Sequence, residues 1–177
     1  DLIHNLGIGG AVQTGYKYAY YHNYDIAVQF DGDGQHDINY VKNIIEPIIN
    51  NKADFVIGSR FVDNVSSFKT TMSRRMGIKI ISFFIKIFAK IKVYDTTSGF
   101  RACNKEIIKS FAKEYPLEYP EPITTVELAK KKYRILEVGS NMLERVGGKS
   151  SIHTWKDAYY MINVCLSIII AGCRRYK

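Results

Sequence analysis

The chain is poor in cysteine. The three it has, Cys103, Cys165 and Cys173, are scattered and form no CxxC pair. That pattern excludes a disulfide scaffold and a zinc module and suits a reducing compartment. There is no RNA-binding signature and no uninterrupted block of lysine and arginine. The net charge of +8 over 177 residues therefore does not read as a nucleic-acid footprint. It points to phosphorylated small molecules or to an anionic membrane surface. The first residues do not read as a secretory signal. Internal repeats and low-complexity runs are absent as well, and the length suits one domain with a real core. The glycine stretch "GIGGAVQTG" (7–15) is not GxGxxG and follows no apolar strand. It predicts only a tight turn into a helix running to about Tyr21.

What is present is an alternation of strands and helices. Residues 25–30 and 53–60 read as buried strands. Between them Ile38, Val41, Ile44, Ile45 and Ile48 form one helical face, with Asp37 as its N-cap and Pro47 ending it early. Strand, helix, strand with continuously apolar strands predicts a parallel sheet. Further helices are expected over 71–91, 104–113 and 123–132, a strand over 133–138, loops over 61–70, 95–102 and 144–151, and a last helix from Thr154.

The first strand ends in "QFDGDGQHD" (29–37), which crowds three aspartates into a turn. Carboxylates this close repel unless a cation lies between them. Ligands of open α/β sheets bind at this edge. Asp31 and Asp33 thus predict a site for Mg²⁺ or Mn²⁺ shared with a diphosphate. A calcium loop counted from Asp31 needs Gly and Glu where His36 and Lys42 stand, and so fails. An aspartyl-phosphate phosphatase also places DxD after an apolar strand, but Gln35 departs from its pattern. A solvated polar turn is the plain alternative.

Two helices carry a membrane signal. On 71–91 the polar positions Arg75, Lys79, Ser82, Lys86 and Lys90 make one cationic stripe on an otherwise apolar helix. This suits either a core helix with a solvated lysine edge or a helix lying at an anionic membrane. From Ala158 to Cys173 only Asn163 and Ser167 are clearly polar. Trp155, Tyr159 and Tyr160 lie at one end, and Arg174, Arg175 and Lys177 at the other. Those sixteen residues reach roughly 24 Å, short of the ~30 Å hydrocarbon core, so an interfacial or partly inserted helix is expected, with a buried helix or an oligomer contact as the alternative.

The motifs "NLGIGGAVQTGYKYA", "VQFDGDGQHD", "DFVIGSRF", "DTTSGFRA", "YPEP", "YRILEV" and "ERVGGKSSI" follow in this order. In that order the chain resembles the bacterial family 2 glycosyltransferases, in particular the small membrane-associated members related to dolichyl-phosphate mannose synthase. The resemblance implies a GT-A fold, a Rossmann-like three-layer α/β sandwich with a mostly parallel central sheet. It implies a catalytic domain over 1–153 and a membrane-associating helix over 154–177. The family begins with a strand and a DDGS-like turn that hold the nucleotide base and ribose, and this chain starts after that point. The domain is therefore expected to be N-terminally incomplete and, as these residues alone, a weak binder of donor.

The resemblance also implies roles. The reaction is inverting sugar transfer from a nucleotide diphosphate sugar to a polyprenyl-phosphate or glycan acceptor, in cell-envelope polysaccharide synthesis at the cytoplasmic membrane face. Asp31, Asp33 and Gln35 match the metal positions. Asn5, Gly7 and Asp31 match positions at the nucleotide sugar, and Arg60 and Arg145 match arginines that neutralise phosphates. Ser98, Gly99, Phe100 and Arg101, with Lys149 and Ser150, match the acceptor side. Glu121 stands where the family has its catalytic Asp, but within "PEP" instead of the usual Glu-Asp pair. It is expected to act as the base for a hydroxyl acceptor. With an anionic phosphate acceptor it would only orient the acceptor or pair with Arg101. The alternatives are a catalytically inactive membrane-binding or scaffold module and, from another class, the DxD phosphatase. A homo-oligomer is compatible with either.

Overall fold

Strand residues with side chains on both faces need cover on both faces, and the chain supplies it with helices. The computed structural model describes residues 3–63, 71–143 and 154–176. Its strands are β1 (Ile26–Gln29), β2 (Phe55–Ser59), β3 (Arg101–Asn104) and β4 (Ile135–Gly139). Its helices are α1 (Gly7–Tyr21), α2 (Val41–Ile49), α3 (Met72–Ala89), α4 (Lys105–Lys113), α5 (Pro120–Lys130) and α6 (Thr154–Cys173). The four strands form one sheet in the order β1-β3-β2-β4.

Alternation along the strands separates two cores. Phe55, Ile57 and Cys103 point to the face covered by α1, α3, α4, α5 and α6, where Tyr16, Ile81, Ile85, Phe111, Leu128 and Ile168 are buried. Val56, Phe100 and Ala102 point to the other face, where α2 contributes Ile44. Helices on both faces make the three-layer arrangement expected from the sequence.

The pairing corrects the expectation of a mostly parallel sheet. β1, β2 and β4 point the same way, but β3 runs against them and lies between β1 and β2. Among the described residues only β2 and β4 pair in parallel. Residues 101–104, which straddle the end of the expected loop (95–102) and the start of the expected helix (104–113), form this strand. Four residues framed by a polar turn and a helix cap carry too little periodicity to announce it. Asn104 ends it and caps α4, its side chain accepting from Ile107 N at 3.1 Å.

Asp37 plays its expected part. Its Oδ1 accepts from Asn39 N at 3.0 Å and opens the 3₁₀ turn Ile38–Tyr40 that runs into α2. Pro47 lies in the last turn of α2, which stops two residues later. α5 starts earlier than the pattern suggested, because Pro120 fits a first helical turn that needs no N–H.

The terminal helix is half core and half surface. Val164, Ile168 and Ala171 are buried against the domain, while Tyr159, Ile162, Leu166 and Ile170 are exposed. Gly77 meets Met161 and Gly172 meets Phe88, so α3 and α6 lie side by side in the same direction. No described helix is long and apolar enough to cross a membrane.

Candidate active site

The parallel strands β1, β2 and β4 end at one edge of the sheet, and the antiparallel β3 begins there. This brings the carboxylate turn after β1 against the segment Ser98–Gly99–Phe100. In the turn Gly34 has φ 73°, a left-handed conformation that suits glycine. Asp33 Oδ1 accepts from Gln35 N at 3.0 Å, and the Gln35 carbonyl accepts from Leu143 N at 2.8 Å. His36 bridges to Met142 as an isolated antiparallel pair. The turn is thus tied to the segment that follows β4.

Asp31 sits in a seat. A Cβ on Gly99 would lie 2.5 Å from Asp31 Oδ2 and 2.7 Å from Oδ1, so only a glycine leaves room for the carboxylate. His36 Nε2 lies 3.2 Å from Asp31 Oδ2. As a hydrogen bond to a carboxylate, this contact takes the His36 tautomer with the hydrogen on Nε2 as donor. The His36 side chain is 2% exposed and the Asp31 side chain 43%. The imidazole stacks on Phe100, with centroids 5.2 Å apart, and meets the edge of Phe30. One carboxylate oxygen is therefore held from inside, and the group still faces water.

Serine, phenylalanine and arginine of the acceptor-side motif turn inward. Ser98 is buried, and its hydroxyl donates to the Gly58 carbonyl at 2.6 Å. Phe100 is fully buried in the α2-side core. Toward the turn this segment presents Gly99 against Asp31 and the Phe100 ring against His36 and Phe30.

Arg101 is 2% exposed. Its Nε donates to the Ser98 carbonyl at 2.7 Å. Its Nη1 donates to the Glu121 carbonyl at 2.8 Å and to the hydroxyls of Thr124 and Thr125 at 3.0 and 3.3 Å. Its Nη2 is buried without a partner. Arg101 thus anchors the start of α5 through the main chain of Glu121. The expected pairing with the Glu121 carboxylate is replaced by this contact. The Glu121 side chain is half-buried in the first turn of α5, close enough to Tyr115 and Tyr160 that its charge, added to burial, raises both phenols.

Arg60 is 6% exposed and forks onto Asp95. Its Nε lies 2.7 Å from Oδ2 and its Nη2 2.6 Å from Oδ1, while Nη2 also reaches Thr97 Oγ1 at 2.9 Å. Among the described residues its Nη1 meets only the Met142 sulfur, at 3.7 Å. Asp95 was missed by the sequence reading. So was Glu137, whose two carboxylate oxygens accept from the backbone N–H groups of Tyr94 and Asp95 at 2.7 Å each. Burial raises the Glu137 carboxyl. The one signal for Asp95 in the sequence is an isolated acid just ahead of "TTSG", 35 residues from its arginine.

Asn5 and Gly7 make a local turn at the start of α1, with Gly7 N donating to Asn5 Oδ1 at 2.9 Å. Both are exposed, and no hydrogen bond or ion pair joins them to Asp31. Arg145, Lys149 and Ser150 lie outside the described residues.

Among the described residues no cluster of three or more His, Cys, Asp or Glu could cage an ion. The donor set still fits a hard divalent cation of the Mg²⁺ class, which commonly takes one or two carboxylates and completes its shell with water and substrate phosphate. The Asp31 carboxylate stays 43% exposed on its seat against Gly99, and Asp33 and Gln35 follow on the same turn.

The model of glycosyl transferase family 2 matches residues 2–111. The chain is 35% identical over 132 residues to the UDP-N-acetylglucosamine–dolichyl-phosphate N-acetylglucosaminyltransferase of Methanococcus voltae, covering 74% of this chain and 52% of that protein. It is 29% identical over 152 residues to the undecaprenyl-phosphate mannosyltransferase of Micrococcus luteus, covering 82% and 60%. It is 24% identical over 103 residues to the polyprenol monophosphomannose synthase of Mycolicibacterium smegmatis, covering 58% and 38%. The chain spans about half the length of the relatives it matches.

Proposed function

The chain belongs to glycosyl transferase family 2, and from that premise we propose that it carries the metal–diphosphate site of an inverting transferase. This enzyme moves a sugar from a nucleotide diphosphate donor to a polyprenyl-phosphate acceptor at a membrane surface. The observation that carries the proposal is the seated carboxylate: Asp31 rests on Gly99 at the C-terminal edge of the sheet, with Oδ2 against His36 and the side chain still 43% exposed. The relatives' names, which include dolichyl-, undecaprenyl- and polyprenol-phosphate enzymes, support the acceptor class.

In the reaction an acceptor phosphate oxygen attacks the anomeric carbon. The bond from that carbon to the diphosphate oxygen breaks, and the electron pair leaves with the nucleoside diphosphate. A divalent cation bound by Asp31, Asp33 and Gln35 would neutralise charge growing on the leaving group. Asp31 holds its place through Gly99 and His36. Arg60 has one nitrogen, Nη1, left over from its pair with Asp95 to offer a phosphate, in keeping with the planar fork arginine uses for such groups. An acceptor that is already an anion needs no base. Glu121, held by its main chain to Arg101, then has an orienting role at the start of α5.

The membrane part of the proposal rests on α3 and α6. On α3, Met72, Met76, Ile80, Phe83 and Ile87 are exposed in a row opposite its buried Ile78, Ile81, Ile85 and Ala89. Arg75, Lys79, Lys86 and Lys90 run along one flank of that row, and α6 lies against the other with its own exposed Tyr159, Ile162, Leu166 and Ile170. Apolar rows beside unpaired-sign cations suit the interface of an anionic bilayer.

The test is turnover by the intact protein with Mn²⁺, UDP- and GDP-sugars and a polyprenyl phosphate. Changing Asp31 and Asp33 together to Ala should cut transfer at least about 100-fold, the scale set by removing charge stabilisation from a transition state. Turnover equal to wild type refutes the metal role. Vesicle binding with no transfer from any nucleotide sugar by the wild type supports an inactive membrane module instead.

A further inference from the structure

Within the site one buried side chain is not explained by packing alone. His36 is a polar ring placed among Phe30, Phe100 and Met142, where an aromatic or aliphatic residue fills space at lower desolvation cost. Its polar reach goes to Asp31 Oδ2, at 3.2 Å. We propose that His36 is a positioning residue: it fixes the Asp31 carboxylate so that one oxygen is committed inward and the other is offered to the cation. The inference rests on the metal reading of the carboxylate turn.

Asp31 follows a strand and precedes Gly32, Asp33 and Gly34, a turn with two glycines and no bulky side chain to limit rotation. Gly99 supports the carboxylate from one side but donates no hydrogen bond to it. A carboxylate with one partner-free face explores several rotamers, and ordering it at the moment of binding costs affinity. His36 removes that freedom beforehand. The ring is itself fixed, stacked at 28° on Phe100 and edge-on to Phe30, and its backbone is bridged to Met142. A rigid donor behind a ligating group is how second-layer contacts tune a metal site, and their loss typically costs about 10–100-fold in affinity.

The experiment measures Mn²⁺ binding to the intact protein by the free-Mn²⁺ EPR signal, with Mn²⁺ alone and with UDP or GDP added. Wild type is compared with His36→Phe, His36→Gln and Asp31→Asn. Phe keeps the aromatic packing and loses the donor. Gln keeps a donor near the Nε2 position. His36→Phe should weaken Mn²⁺ binding about 10–100-fold, and His36→Gln should return it to within about threefold of wild type, a rescue that a purely packing role would not give. If His36→Phe does not fold by circular dichroism, His36→Asn, too short to reach Oδ2, takes its place with the same expected loss. Wild-type Mn²⁺ affinity in the donor-free variant, with affinity lost in Asp31→Asn, overturns the role of His36 alone. Wild-type affinity in Asp31→Asn overturns the metal reading and this inference with it.

Discussion

Gly99→Ala isolates the seat of Asp31 from everything else in the site. The new Cβ would stand 2.5 Å from Oδ2, 2.7 Å from Oδ1 and 2.9 Å from Cγ. Because all three atoms are close, rotating the carboxylate in place relieves one contact and worsens another. The group must retreat by about 0.9 Å to reach ordinary contact at 3.4 Å. Asp31 is 43% exposed on its side chain, so it has water to retreat into. The fold should therefore lose about 1 kcal/mol or less, a melting shift of about 2–4 °C for a domain of this size. The chemistry has no such escape. A shift of about 1 Å at a positioning group costs about 100-fold in rate, equivalent to about 2.7 kcal/mol in the barrier. The assay is sugar transfer by the intact protein at saturating donor and Mn²⁺, with melting followed by circular dichroism. Adding Asp31→Asn to Gly99→Ala should cost little more, since the carboxylate has already left its seat; the double-mutant cycle reads that coupling directly. Turnover of Gly99→Ala within about threefold of wild type refutes the seat.

Two further outcomes are expected away from the chemistry. Changing Lys79, Lys86 and Lys90 together to Glu should abolish co-sedimentation with anionic vesicles at low salt, and high salt should weaken the wild type toward the same level; salt-independent wild-type binding would remove the cationic row from the account. At the start of β2, hydrogen bonds from the Arg134 guanidinium, at 3.0 Å to Oδ2 and 2.8 Å to Oδ1, hold the Asp54 carboxyl below its ordinary range. A carboxyl lowered on folding adds stability that is complete above its unfolded pKa and is lost as pH falls through the lowered value. Between pH 7 and pH 3 the urea midpoint of wild type should therefore fall further than that of Asp54→Asn, and parallel curves would contradict the pairing.

The legible part of this protein was the part written as local pattern. Asp31 and Asp33 mark the turn after β1 because two carboxylates there repel unless water or a cation separates them, a pattern visible within three residues. Asp37 was readable as a cap, and the α2 face as a 3.6-residue period, for equally local reasons. The missed residues act over long separations. Asp95 pairs with Arg60 across 35 positions, and Glu137 reaches the backbone of Tyr94 and Asp95 across more than 40. A lone acid in a polar turn looks the same whether it is solvated or buried against an arginine. The mostly parallel expectation failed for the same reason: β3 inserts antiparallel between β1 and β2, a pairing over tens of residues that no local pattern announces.

The arginines show why placement changes chemistry that residue type alone suggests. Arg60 and Arg101 both belong to motifs associated with phosphate or acceptor binding, and both are almost wholly buried. A buried guanidinium must satisfy several N–H groups or bear the desolvation cost. Arg60 meets this with a carboxylate and a threonine, and Arg101 with carbonyls and hydroxyls, so most of their donors hold the scaffold. Each keeps one nitrogen outside that scaffold, Nη1 of Arg60 on a thioether and Nη2 of Arg101 with no partner. The same two side chains thus fix the loop after β2, the Gly99 segment and the start of α5 relative to one another. The carboxylate seat inherits its rigidity from them, and a substitution at either arginine should reach Asp31 through Ser98 and Gly99 even where no phosphate is bound.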